Sequence, residues 1–234
     1  MSSGHSVVHE VLLVLPSTIE LTLAAIAIGL VFGLPLGIAA ALNRNGWLDY
    51  LSRVVSLVGL SFPAFVSGIL MLIVFAIQLR WFPVLGNTSG SGSFTERLHA
   101  LALPALNLGI IMTAYVMRVA RAAMLDVLNE DYIRTARAKG VGPTRLVLQH
   151  ALRNSLIPII TVVGLYFGTL IGNSVLTEII FNRPGLGKLI LGALNARDYT
   201  LLQGLMIIFA ICVIVVNTLT DLAYGFIDPR VKYQ

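Results

Sequence analysis

The sequence predicts an all-α, polytopic membrane protein with five transmembrane helices, on three observations. Its 234 residues are 57% hydrophobic and only 12% charged, with a mean hydropathy of +0.88, whereas soluble domains are about 25% charged. The few charges leave five long uncharged runs, and the basic residues divide unevenly between the segments that join those runs. The same composition excludes a disordered regulator and most soluble enzymes, and a single cysteine excludes a disulfide-stapled secreted module.

The uncharged runs are Leu21 to Asn43 (23 residues), Val54 to Leu79 (26), Leu98 to Met117 (20), Asn154 to Thr177 (24) and Tyr199 to Thr220 (22). A helix needs about 20 apolar residues to cross a hydrocarbon core roughly 30 Å thick, and a helix satisfies its own backbone hydrogen bonds there. With their flanks the predicted spans are 17–43, 54–79, 98–120, 154–178 and 199–223. They form a membrane domain of 17–227, preceded by an external segment 1–16 and followed by a tail 228–234.

Orientation follows from the basic residues. Segments 44–53, 118–153 and the tail from 221 hold two, seven and two Lys or Arg, eleven in all. The N-terminus before Leu21 holds none, 80–97 two and 178–198 three, five in all. The prediction is N-terminus out and C-terminus in. The net charge of +5 is thereby a topology signal, and no nucleic-acid partner is needed to explain it.

Within the spans, Gly29, Gly33 and Gly37 recur at a spacing of four, as do Gly164, Gly168 and Gly172. Small residues so placed let lipid-embedded helices approach closely, either at a subunit interface or in ordinary packing within the chain. Pro35, Pro63, Pro104 and Pro158 fall in or at the ends of spans, where each removes a backbone donor and favours a kink. Outside the spans, Trp81, Phe82 and Pro83 read as an interfacial anchor before a Gly/Ser-rich stretch. Pro184 and Gly185 read as a tight turn, followed by a short surface helix from Lys188 to about Leu194 that could cap an outer mouth.

Segment 121–153 is the long polar connection. Acidic Asp126, Glu130 and Asp131 precede Arg134, Arg137 and Lys139, the order a short helix prefers. Gly140 supplies a stop and Pro143 a first helical position. Composition leaves open a loop that only fixes topology and a docking helix, with Ala136 and Ala138 beside Arg137 and Lys139, that fits a partner's groove.

The stretch DYIRTARAKGVGPTRLVLQHALRNSLIP (131–158) resembles the cytoplasmic signature loop of ABC-importer permeases, in the form found in dipeptide, oligopeptide, glutathione and nickel importers. The resemblance extends through SFPAF (61–65), FNRPGLGKL (181–189), ARDYTLLQG (196–204) and DPRVKY (228–233), and so covers nearly the whole chain in order. It implies the fold of a type I importer permease and a subunit without ATPase activity of its own, in a bacterial plasma membrane. Arg134, Thr135 and Ala136 take the place of the general Glu-Ala-Ala, and Gly140 matches its Gly. The missing Glu, and Ile157-Pro158 in place of an earlier Leu-Pro, favour the peptide and nickel branch over sugar or amino-acid permeases.

The implied partners are a second homologous permease, two ATP-binding subunits that carry ATP and Mg, an extracytoplasmic substrate-binding protein and the bilayer. ATPase coupling is expected at Arg134, Thr135, Ala136, Arg137, Ala138, Lys139 and Gly140. Pathway or gate roles are expected at Pro63, Asn173, Glu178, Pro184 and Gly185. Relatives usually begin with a cytoplasmic N-terminus, a first span and an external region; residues 4–21 resemble what precedes the second span. The sequence therefore reads as lacking that first span, and the absence of Lys or Arg before Arg44 agrees.

Competing chemistry finds little support. Gly187-Lys188 lacks the upstream glycine and the Ser/Thr of a phosphate loop. His5 and His9 alone share helical spacing among the four histidines, a poor metal set; no metal and no cofactor are expected in this chain. Cys212 reads as a small apolar residue. Glu20, Glu178 and Asp221 stand at span ends, so neither an intramembrane enzyme nor an ion-coupled carrier finds its groups at mid-membrane. Asn107, Asn173 and Asn217 read as helix-to-helix hydrogen bonders.

Overall fold

The computed structural model describes residues 6–84 and 93–227, without the side chains of residue 221 and residues 223–227. The tail 228–234, the first five residues of segment 1–16 and the centre of the 80–97 loop lie outside the described residues. Four helices are long and apolar enough to cross a membrane, and a bent pair brings the number to five if it is one span.

The first helix, α1 (Val7–Leu42), begins ten residues before the predicted span. Ser6 accepts the His9 N–H at 3.3 Å and so caps it. From Val7 onward the predicted external segment is therefore the first turns of a continuous helix. Pro16 and Pro35 lie inside α1 without ending it; neighbouring helices and side chains offset a missing donor in such a bundle.

The second predicted span, 54–79, is not one straight helix. It is α2 (Trp47–Ser61) and α3 (Ala64–Met71), the latter continued by a π-helical stretch Leu72–Gln78, and the two halves meet at 96°. The break falls at a proline: the residue before one is disfavoured in the helical region, and Phe62 before Pro63 is extended at φ −93°, ψ 129°.

Helix α4 (Phe94–Leu128) runs past the predicted end of its span and forms the centre of the bundle. Of its apolar stretch 61% is buried, against 6% for α9 (Tyr199–Ile227). The connection after α4 holds α5 (Asp131–Ala138), then one turn α6 (Pro143–Arg145) that leads through a π-helical stretch Leu146–Ala151 into α7 (Leu152–Ile180). A short α8 (Leu186–Asn195) precedes α9.

The helices are held by close approach, because lipid is as apolar as the side chains and the hydrophobic effect does little between helices. Along the α1–α4 seam a Cβ at Gly33 would lie 2.8 Å from the Thr113 carbonyl oxygen and 2.9 Å from Val116 Cβ. One at Gly37 would lie 2.7 Å from the Met117 carbonyl oxygen, and Gly29 sits as tightly on Met112. On the second stripe, Gly164 packs on Thr220 of α9, Gly168 has ordinary contacts at 3.4 Å with Val213, and Gly172 has open space. Spacing made these six equivalent; structure separates them.

Candidate functional site

The polar connection is seated by one side chain. Ile133 of α5 is 1% exposed and packs in a cluster with Ala41 of α1, Met124 of α4, and Leu146 and Ala151 before α7. Tyr132 steadies the same face: its hydroxyl accepts from Asn154 Nδ2 at 2.6 Å. Arg134, Thr135, Arg137, Ala138, Lys139 and Gly140 remain exposed, and Ala136 is half-buried. Helix α5 thus turns an apolar residue inward and cations outward, as a short helix that bridges three helix ends while offering a free face must. Gly140 stops it at φ +82°, a conformation that costs most residues about 1–2 kcal/mol.

The opposite end of the bundle holds a buried carboxylate. Glu178 of α7 has no exposed surface. One oxygen accepts from Thr18 Oγ1 of α1 at 2.6 Å and the other from the Gly187 N–H of α8 at 2.7 Å. The Thr18 hydroxyl in turn accepts the Leu186 N–H at 2.9 Å. A Cβ on Gly185 would collide with the Glu178 carboxyl. This network pins the start of α8 to α1 and α7, and Arg183 pairs with Glu20 beside it. Among the described residues Arg183 Nε is a buried donor left without a partner.

The expected pathway residues therefore separate. Glu178 and Gly185 meet in this latch with exposed Pro184 beside them, while half-buried Asn173 lies further down α7. Pro63 stands apart at the α2–α3 break. There Asn107 of α4 donates to the Ala64 carbonyl at 3.0 Å and accepts from Ser67 Oγ at 2.7 Å. It clamps the bent pair beside an apolar cavity of about 250 Å³ whose lining includes Phe62, Leu70 and Ile110. Irregular backbone at membrane depth is tolerated where protein or a cavity faces it. The short helix after the Pro-Gly turn begins two residues earlier than predicted, and Leu186, Gly187 and Ala193 bury one side of it rather than leaving it on the surface.

Sequence reasoning missed one cluster. Asp49, in the first turn of α2, is fully buried and binds two guanidiniums. Arg53 Nη2 reaches it at 2.7 Å, and Arg121 of α4 grips both oxygens, Nη2 at 2.9 Å. The Asp49–Arg53 spacing of four was visible; the cross-helix partner, 72 residues away, was not. Among the described residues no group of three His, Cys, Asp or Glu could hold a metal ion.

A bundle of long apolar helices with one bridging polar helix at one end and a pinned short helix at the other is the build of a multi-pass membrane protein. Residues 33–233 match the family model described as the binding-protein-dependent transport system inner membrane component, and the chain belongs to that family, the inner-membrane permeases of ABC importers. Among relatives, it is 42% identical to the di/tripeptide transport system permease protein DppB of Pseudomonas aeruginosa, over 100% of this chain and 76% of that one. It is 41% identical to the glutathione transport system permease protein GsiC of Escherichia coli K12, over 100% and 74%. Among solved structures, the MetNI methionine ABC transporter superposes with a TM-score of 0.76 at 18% identity, covering 93% of this chain and 95% of that one. That likeness concerns the fold.

Proposed function

We propose that the chain forms half of a translocation pathway for peptides or related small solutes and takes its driving force from partner ATPases through α5. The observation that supports this is the seat of Ile133. One small helix contacts the ends of α1 and α4 and the start of α7 at once, so a displacement of α5 moves three membrane helices together. The exposed Arg134, Arg137 and Lys139 are the face left for a partner's groove. On this reading N-terminus is out, C-terminus in, and α5 faces the cytoplasm, where the basic residues concentrate.

The proposed cycle needs two states that partners bind differently. An external binding protein delivers cargo at the α8 end, a second homologous permease completes the pathway, and ATP with Mg resides on two partner subunits. Closure of those subunits shifts α5, and the spans rock between outward and inward openings. The relatives' di/tripeptide and glutathione names support a peptide-like cargo.

The test is Ile133→Ala in the reconstituted importer. Emptying this buried position costs about 2–5 kcal/mol of local packing, so α5 loosens while the spans stay inserted. Peptide uptake should fall severalfold more than ATP turnover. If uptake and turnover stayed in their wild-type ratio, α5 would not be the coupling element.

A further inference from the structure

Beside the Asp49 cluster, a cleft of about 340 Å³ opens between α2 and α4. Arg53, Arg118 and Arg121 line it, with Ser56, Leu57 and Met117 among the remaining walls. Its charge does not cancel. Arg53 and Arg121 share the single carboxylate of Asp49. Arg118 sits 5.5 Å from the Tyr115 ring centroid and has no carboxylate partner among the described residues. Three cations against one anion leave two positive charges around one cleft.

The hydroxyls sharpen this. Ser52 and Ser61, also in the lining, each give their proton to a helix carbonyl, at 2.8 and 2.6 Å. Ser56 is only 5% exposed and has no hydrogen-bond partner among the described residues. A serine at this depth in a helix ordinarily bonds the carbonyl one turn back; its proton remains available to the cleft. A surplus of guanidinium charge, an unpaired Ser56 hydroxyl in the cleft wall and an apolar wall of Leu57 and Met117 fit a ligand with one anionic oxygen group and an apolar or neutral remainder.

We propose that this cleft binds an oxyanion, a phosphate or carboxylate, held by Arg118 and the Ser56 hydroxyl with the Asp49-anchored guanidiniums behind them. Arg53 and Arg121 are already oriented by Asp49, so little is lost in fixing them when the anion arrives. The chemistry is shared by an anionic phospholipid headgroup and a free anion, and the site does not depend on the transport reading.

The experiment uses the full chain in its membrane complex, in nanodiscs of phosphatidylcholine with or without phosphatidylglycerol. Native mass spectrometry counts retained phosphatidylglycerol, and a parallel titration with inorganic phosphate asks whether a free anion enters and displaces it. Arg118→Gln and Ser56→Ala are compared with wild type. Both leave the ion pairs intact, and Ser56→Ala breaks no hydrogen bond, so the fold survives. Each should weaken binding about tenfold, the usual worth of one charge-assisted contact, and Arg118→Lys should restore part of it. Retention of lipid that phosphate fails to displace identifies the headgroup as the source; phosphate binding without lipid retention identifies the free anion. If wild type holds neither, as when a neighbouring subunit's carboxylate fills the cleft, or if both variants bind as wild type does, the proposal is overturned.

Discussion

Replacing Gly33 with alanine tests whether the α1–α4 seam is set by backbone contact. The added Cβ would meet the Thr113 carbonyl oxygen at 2.8 Å and Val116 Cβ at 2.9 Å. Both atoms are fixed to the α4 backbone, so no rotamer change clears the space. Restoring an ordinary separation of about 3.4 Å requires the helices to part by roughly 0.6 Å, and overpacking of this kind costs about 1–3 kcal/mol. Against it stands the helix propensity gained on replacing glycine by alanine, about 1 kcal/mol. The expected net loss is up to about 2 kcal/mol, or a few degrees in Tm at about 2–4 °C per kcal/mol for a chain of this size. Gly172→Ala is the control, because its Cβ meets nothing within 4 Å and only the propensity gain remains. Thermal unfolding of the two variants in the same detergent decides it. Equal melting temperatures, or a Gly33→Ala protein more stable than wild type, would refute the reasoning.

Other perturbations read other parts of the molecule. Gly140→Val meets no steric obstacle but must adopt φ +82°, so it should reset the end of α5 and lower uptake per ATP while membrane insertion stays normal; Gly140→Asn, which tolerates that region, should lie between. Glu178→Ala leaves the Thr18 hydroxyl and Gly187 N–H without their acceptor, at about 1–3 kcal/mol each; hydrogen exchange across α8 should rise while that at α5 is unchanged. Asp49→Asn strips the charge that two partly exposed guanidiniums share and should cost about 1–3 kcal/mol, read in the unfolding midpoint. The double variant Asp49→Leu, Arg121→Met should recover much of that loss, since apolar replacement of a buried pair is often neutral.

Local signals were legible in the sequence where a residue type permits only one backbone. Gly140 stops α5, Pro143 opens the next helical turn, and the uncharged runs mark the apolar helices. Proline was ambiguous because its effect depends on what surrounds it. Pro35, Pro104 and Pro158 lie inside uninterrupted helices, whereas Pro63 stands at a 96° bend, and nothing in the span's composition distinguishes them. The long-range partners were beyond reach for a different reason. Thr18 finds Glu178 across 160 residues, so a carboxylate that reads as a pathway group at a span end is engaged on both oxygens. The two glycine stripes carry the same spacing, yet only packing decides that Gly33 touches a neighbour and Gly172 does not.

The bent pair also constrains how the protein is made. Each half, Trp47–Ser61 and Ala64–Gln78, is 15 residues long, about 22 Å of helix, short of a hydrocarbon core of about 30 Å. Neither half can settle as a span alone, and the exposed backbone at the bend needs a polar neighbour. That neighbour is Asn107, which leaves the ribosome some forty residues after Ala64. The bent segment is therefore not self-contained: the side chain that clamps its two halves comes from α4, a helix later in the chain.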